Sequence, residues 1–246
     1  MQRRVMQLRQ GFFNDGPSYM LTSTGLGGLS PQDLASRLQG NAEDVRQVLR
    51  DGICIPLYFD GDCALDDAVI VVGDLTPQEE AEWIGRIRAW LHIPCGEFVL
   101  LGGGLEEDFE SAVQNPEADP SFINFCKFTV DPGKYLVEIF AFVASMSVNV
   151  AWDGMGMHPW TQSKEAIAAW WETTRGGQPH APWVEAFLNG YAVSDALQTL
   201  SYLIRLAPLQ EEVPLPPLDN ASNWCGIFEW RKPALCPLGI RRDALE

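Results

Sequence analysis

Asp60-Gly-Asp62-Cys-Ala-Leu-Asp66-Asp67 sets four carboxylates within eight residues, between two apolar runs. Hard cations such as Ca²⁺ take several oxygens from one flexible loop, so Asp60, Asp62, Asp66 and Asp67 are candidate metal ligands. The spacing lacks EF-hand order: it has no third ligand at position five, no Gly at six and no Glu at twelve. The competing reading is a solvated acidic turn in which Asp66 or Asp67 caps local backbone.

Gly102-Gly-Gly104 follows an apolar run and precedes a possible helix, the setting in which backbone N–H groups cradle phosphate. It is neither G-x-G-x-x-G nor G-x-x-x-x-G-K-[ST], and Glu106-Glu107-Asp108 follow at once and would repel a phosphate. Trp152-Asp153-Gly-Met-Gly-Met-His158-Pro-Trp160 combines two flexible glycines with adaptable aromatic, thioether and imidazole groups. Such a loop could close over a cleft, which makes Trp152, Asp153, His158 and Trp160 candidate binding residues. The alternative is a crossover whose tryptophans fill core. His92 and Cys95 are the nearest Cys/His pair in sequence, but no third orienting group accompanies them. No Ser-His-Asp set, H-E-x-x-H, nucleophile elbow or basic nucleic-acid stripe occurs.

Six cysteines stand at 54, 63, 95, 126, 225 and 236, with no C-x-x-C among them. Cys54, Cys95 and Cys126 lie in or beside apolar runs and read as small buried hydrophobes. The start of the chain has no apolar run of signal-peptide length, so reduced thiols in a cytoplasm are expected. Only Cys225 and Cys236 suggest a bridge. No 18-residue apolar stretch occurs, so no membrane span is expected.

The elements that must hold these residues follow from capping and periodicity. Ser30 and Pro31 start a helix with Leu34 and Leu38 on one face, and Val45, Val48 and Leu49 continue a second. Ile53–Phe59, with Pro56 inside, reads as an edge strand, and Ala68–Val72 as a buried one. Thr76-Pro77-Gln78-Glu79 is a capping box, and Trp83, Ile84, Ile87, Trp90 and Leu91 fall on one helical stripe. The spacing therefore predicts a helix from 76 to about 91. Glu97–Leu101 is a strand. Phe125–Val130 and Lys134–Ala144 are predicted to form a hairpin with Pro132-Gly133 in a type II turn. Ile167, Trp170 and Trp171 mark one later helix, and Trp183, Val184, Phe187 and Leu188 a second. Ser194 with Leu197, Leu200, Leu203 and Ile204 marks a third. Residues 213–217 form an extended Pro-rich linker, and the tail 224–230 a late strand.

The expected architecture is thus α+β: a mixed or antiparallel sheet with a packed amphipathic helix, followed by a helical C-terminal half. The expected units are an arm (1–29), an acidic sheet domain (30–150), a helical region packed on it (151–208), and a linker with an extended tail (209–246). With 46% apolar residues and nine Trp the chain can bury a sizeable core.

Charge is concentrated. Residues 51–120 hold 16 Asp/Glu against Arg86 and Arg88, a net of −14, while the other 176 residues carry 17 acids and 15 bases. A localised negative surface repels nucleic acid and anionic membrane and attracts basic proteins. The expectation is a non-enzymatic, cofactor-free interaction module of inhibitor or immunity type. Its partner would be a basic protein, with Glu106, Glu107 and Asp108 among the contact residues. The rival reading is a small-ligand-binding protein or hydrolase-type enzyme built around residues 152–160 and the carboxylates at 60–67.

Overall fold

The computed structural model describes residues 2–114, 124–154, 164–189 and 199–245. Among the described residues ten strands form two sheets. The strands are β1 (Arg4–Gln7), β2 (Ser18–Ser23), β3 (Cys54–Tyr58), β4 (Val69–Val72), β5 (Gly85–Ile93), β6 (Glu97–Gly102), β7 (Phe125–Thr129), β8 (Gly133–Ala141), β9 (Tyr202–Pro208) and β10 (Glu229–Trp230). One sheet runs β1-β4-β9-β8-β5-β10, the other β3-β2-β6-β7. All pairings are antiparallel except that of β4 with β9.

The buried faces of both sheets share one hydrophobic cluster, with Tyr19, Ile55 and Leu100 from one and Ile70, Ile87, Val137 and Ile204 from the other. A smaller cluster of Val69, Val71, Phe140 and Leu203 lies on the opposite face of the six-stranded sheet, capped by Trp83, Leu200 and Ile240. The helices are α1 (Pro31–Leu38), α2 (Ala42–Arg50), α3 (Pro77–Glu82), α4 (Glu106–Gln114), α5 (Met146–Gly154), α6 (Lys164–Arg175) and α7 (Pro182–Asn189). Helices α1, α2 and α4 pack together, with α2 on β3 and α4 on β6. Ser30 caps α1 through the Asp33 N–H, and Pro56 sits on the edge strand β3 as expected.

The helix expected over 76–91 is the largest correction. The Thr76 capping box forms, but α3 ends after six residues and Trp83 is already extended. From Gly85 the chain is strand β5, buried at Gly85, Ile87, Ala89, Leu91 and Ile93 and open or half-open at the residues between. This alternation has period two, and it coincides with a helical stripe at only some positions. Gly85 weakens any helix by about 1 kcal/mol relative to Ala, and the β-branched Ile residues favour the sheet. Ile87 therefore meets Ile139 as a cross-strand neighbour rather than as a helix side chain.

The helical C-terminal half is also overturned. Tyr202–Pro208 is a strand between β4 and β8, with Leu203 in the outer cluster and Ile204 in the inter-sheet one. The helical stripe placed these two residues on a common face. Ser194 and Leu197 lie outside the described residues. The expected hairpin is absent because β7 and β8 belong to different sheets, and the chain changes sheet between them. Gly133 keeps a negative or extended φ, so no type II turn forms there. No described helix is long and apolar enough to cross a membrane.

Candidate functional site

The carboxylates at 60–67 divide into two that build the fold and two that do not. Asp66 Oδ1 accepts the Tyr19 hydroxyl at 2.7 Å, and its Oδ2 accepts the Asn14 N–H at 3.0 Å. Burial, reinforced by Asp66, pushes the Tyr19 phenol far above its usual range. Asp67 pairs with Arg242 at 2.5 Å and accepts the Ser201 hydroxyl at 3.3 Å, which fastens the C-terminal tail to the sheet. Burial raises the Asp67 carboxyl, and Arg242 opposes the rise. Asp60 and Asp62 are exposed. Among the described residues no group of three or more His, Cys, Asp or Glu is placed to hold a metal ion, and that includes these four.

At the Gly102–Gly104 loop, Gly103 adopts φ 92°, which suits glycine. The N–H groups of Gly104 and Leu105, where a phosphate would bind, instead donate to Asp108 Oδ2 at 2.9 Å each. Asp108 Oδ1 accepts the Asn124 amide at 3.0 Å. Asp108 is thus an internal anion that closes the loop, whereas Glu106 and Glu107 are exposed on the first turn of α4 with Glu110 behind them.

These two acidic segments meet at one end of the molecule. The turn at Asn14 joins them: its N–H binds Asp66, and its side chain lies where a Cβ on Gly102 would be, within 2.6 Å. Burial first, then Asp66, Asp15 and Asp62, raise the Cys63 thiol, which records how closely these carboxylates crowd it. Cys63 itself is held at φ 58°. Asp15, Asp60, Asp62, Glu106, Glu107 and Glu110 are exposed, and among the described residues none of the six is in an ion pair. The contribution of Asp15 was missed, because it lies outside the acidic segment and only folding carries it there.

The 152–160 segment is only partly in view. Trp152 and Asp153 stand in the last turn of α5 rather than in a loop, and His158 and Trp160 lie outside the described residues. Helix α5 begins against the acidic end: a Cβ on Gly61 would come within 2.2 Å of Met146 Sδ. The segment leading to residues 152–160 therefore starts beside the carboxylate loop.

Elsewhere, residues that looked chemical serve the fold. His92 is exposed on β5, and His180 meets Trp171 edge-on at 5.5 Å. Cys225 and Cys236 are buried free thiols, each pushed up to about 12 by burial, so the suggested bridge does not form. Cys95 is exposed rather than buried; burial opposes its ionisation, yet hydrogen bonds from Thr24 and nearby backbone hold its thiol below the usual value. Sequence reading also missed Glu138, which is 4% exposed in an apolar strand and bridges Arg205 at 2.8 Å and Arg86 at 3.5 Å.

No protein-family model matches the sequence, and no curated protein matches it. Among solved structures, one described as crocagin biosynthetic gene J is 13% identical with a TM-score of 0.37, covering 85% of this chain and 100% of that one. ComJ from Bacillus subtilis, described as an inhibitor of the DNA-degrading activity of NucA, is 8% identical with a TM-score of 0.30, covering 85% of this chain and 96% of that one. At such TM-scores function is read from this chain's own residues.

Proposed function

We propose that this chain is a protein-interaction module of inhibitor or immunity type, acting in a reducing, cytoplasmic setting, whose acidic end captures a basic protein partner. The observation that carries the reading is the set of exposed carboxylates without ion pairs at Asp15, Asp60, Asp62, Glu106, Glu107 and Glu110. Crowding like charges costs self-repulsion, and a fold has no need to collect them from three separate segments. A cationic partner relieves that repulsion and is steered in by it. The same field disfavours nucleic acid.

The test is capture of partners at about 0.05 M and about 0.5 M salt, since the Debye length shortens across that range. The bait carries Glu106→Lys, Glu107→Lys and Glu110→Lys, with Asp108 left intact because it closes the Gly104 loop. Basic partners lost on both salt and charge reversal are the expected result. Partners that are acidic or neutral, or that ignore both changes, reduce the acidity to solubility.

A further inference from the structure

The outer edge of β5 has a gap. Strand β10 covers one end, Glu229 pairing with Arg86 and Trp230 with Gly85. At the other end the His92 N–H donates to the Gly52 carbonyl at 2.8 Å. In an antiparallel pair successive residues direct their N–H and C=O alternately toward and away from the neighbour. Outward bonding at Arg86 and His92 therefore sets the parity, and Arg88 and Trp90 also direct their backbone groups away from β8. The Lys134 carbonyl, opposite His92, agrees: it bonds Leu209 on the β9 side. Among the described residues no strand or loop supplies a backbone hydrogen bond to Arg88 or Trp90 at this edge.

What crosses the gap is residues 210–217, Gln-Glu-Glu-Val-Pro-Leu-Pro-Pro. Three prolines remove N–H donors, and among the described residues the segment makes no hydrogen bond. It is held by packing, through buried Pro216 and half-buried Leu215, which lies against the core. A cleft of about 590 Å³ opens on one side of it over Trp90, Lys134 and Arg50, and one of about 240 Å³ on the other beside Ile87 and Arg88.

We propose that this edge is a docking site for an extended segment of a partner protein that alternates apolar and acidic residues, pairs its backbone with Arg88 and Trp90, and displaces the 210–217 strap. The backbone gap calls for an added strand. Period two then assigns the side chains. Those turned inward meet the buried side of the strand at Ile87 and Ala89, and Leu215 now lines the cleft beside Ile87. Those turned outward meet Arg88 and Lys134, which are exposed and make no ion pair among the described residues, although Lys134 lies 5.3 Å over Trp90. The acids of the cleft, Glu211 and Glu212, belong to the strap and leave with it. This site is separate from the acidic end and has the opposite charge preference.

The probes are two labelled synthetic peptides on the full chain, one alternating Val and Glu, the other Val and Lys, followed by fluorescence anisotropy. The Val/Glu peptide binds at least about tenfold more tightly than its Lys counterpart and loses at least about tenfold in Arg88→Glu, whose folding is checked by its melting curve because Arg88 stands opposite Glu138. Leu215→Ser, which loosens the strap, tightens it. Hydrogen exchange at Arg88 and Trp90 is fast in the free protein and slows on binding. Equal binding of the two peptides, no binding, indifference to Arg88→Glu or to Leu215→Ser, or Arg88 and Trp90 amides as protected in the free chain as that of Ala89 would each overturn the proposal. So would a second copy of this chain filling the edge, seen as a doubled mass that Arg88→Glu abolishes.

Discussion

Asp66, Asp67 and Asp108 share a carboxylate group and an acidic neighbourhood with Asp60, Asp62 and Glu107, yet only the first three are committed to backbone, hydroxyl or guanidinium partners. For Asp66 and Asp67 that division is set by contacts 52 and 175 residues apart in sequence, which the local spacing could not show, whereas Asp108 binds N–H groups only three and four residues away. With Asp66 and Asp67 engaged, millimolar Ca²⁺ should leave the melting temperature nearly unchanged; a rise of several degrees that Asp62→Ala abolishes would restore the metal reading through ligand linkage. Asp67 also has a pH signature. Its folded pKa is raised by burial, so its ionisation costs stability at neutral pH, and that cost is relieved as pH falls through the folded value. An NMR titration of its carboxyl should give a midpoint above the ordinary aspartate value of about 3.9, moving higher still in Arg242→Met; a midpoint at or below the ordinary value would contradict the buried pair. Among the thiols, Cys95 alone is exposed and shifted downward, against an expectation of burial. Iodoacetamide near neutral pH should label Cys95 well before Cys54, Cys126, Cys225 and Cys236, and uniform labelling would show that the buried thiols are accessible.

Elements whose ends carry chemical punctuation were legible: Ser30 and Thr76 cap helices, Pro56 marks an edge, and Val69–Val72 is a buried strand. The failures have a common cause. Trp83, Ile84, Ile87 and Trp90, and again Leu200, Leu203 and Ile204, fit a helical stripe by spacing, but these stretches are buried on both faces of a sheet or alternate along it. A central strand needs apolar residues on both sides, which erases the period that distinguishes it from a helix. The sheet switch between β7 and β8 had no local signal either, because Pro132-Gly133 suits a turn of many kinds. One substitution separates the two readings of β5. Ile87→Asp places a charge in the inter-sheet core, where Ile87 is 2% exposed, and should cost several kcal/mol. Arg88→Asp, one residue on and exposed, should cost far less. Equal effects in a denaturant titration would mean the alternation is wrong.

For the whole molecule the sequence located the negative charge in residues 51–120, and folding sharpened that statement. Arg86 and Arg88, the only bases in the segment, lie on β5, where Arg86 is taken up by Glu138 and Glu229. The exposed acids of the 60–67 loop and of α4 gather with Asp15 at the end marked by Asn14 and Gly102. Some acids elsewhere are paired, Glu43 with Arg50 and Arg46 and Asp243 with Arg241, while others such as Asp33, Asp51 and Glu185 are exposed without an ion pair among the described residues but dispersed along the sequence. The central claim is that this one end, and not net charge, selects a basic partner. The most direct measurement is the affinity of a captured partner across about 0.05–0.5 M salt for three proteins: the parent, the Glu106/Glu107/Glu110→Lys variant, and a control reversed at Asp33 and Glu43. The parent and the control should weaken steeply with salt, and the first variant should bind weakly throughout with a flattened salt slope. Equal losses in the two reversed proteins, or a parent affinity that ignores salt, would contradict the account.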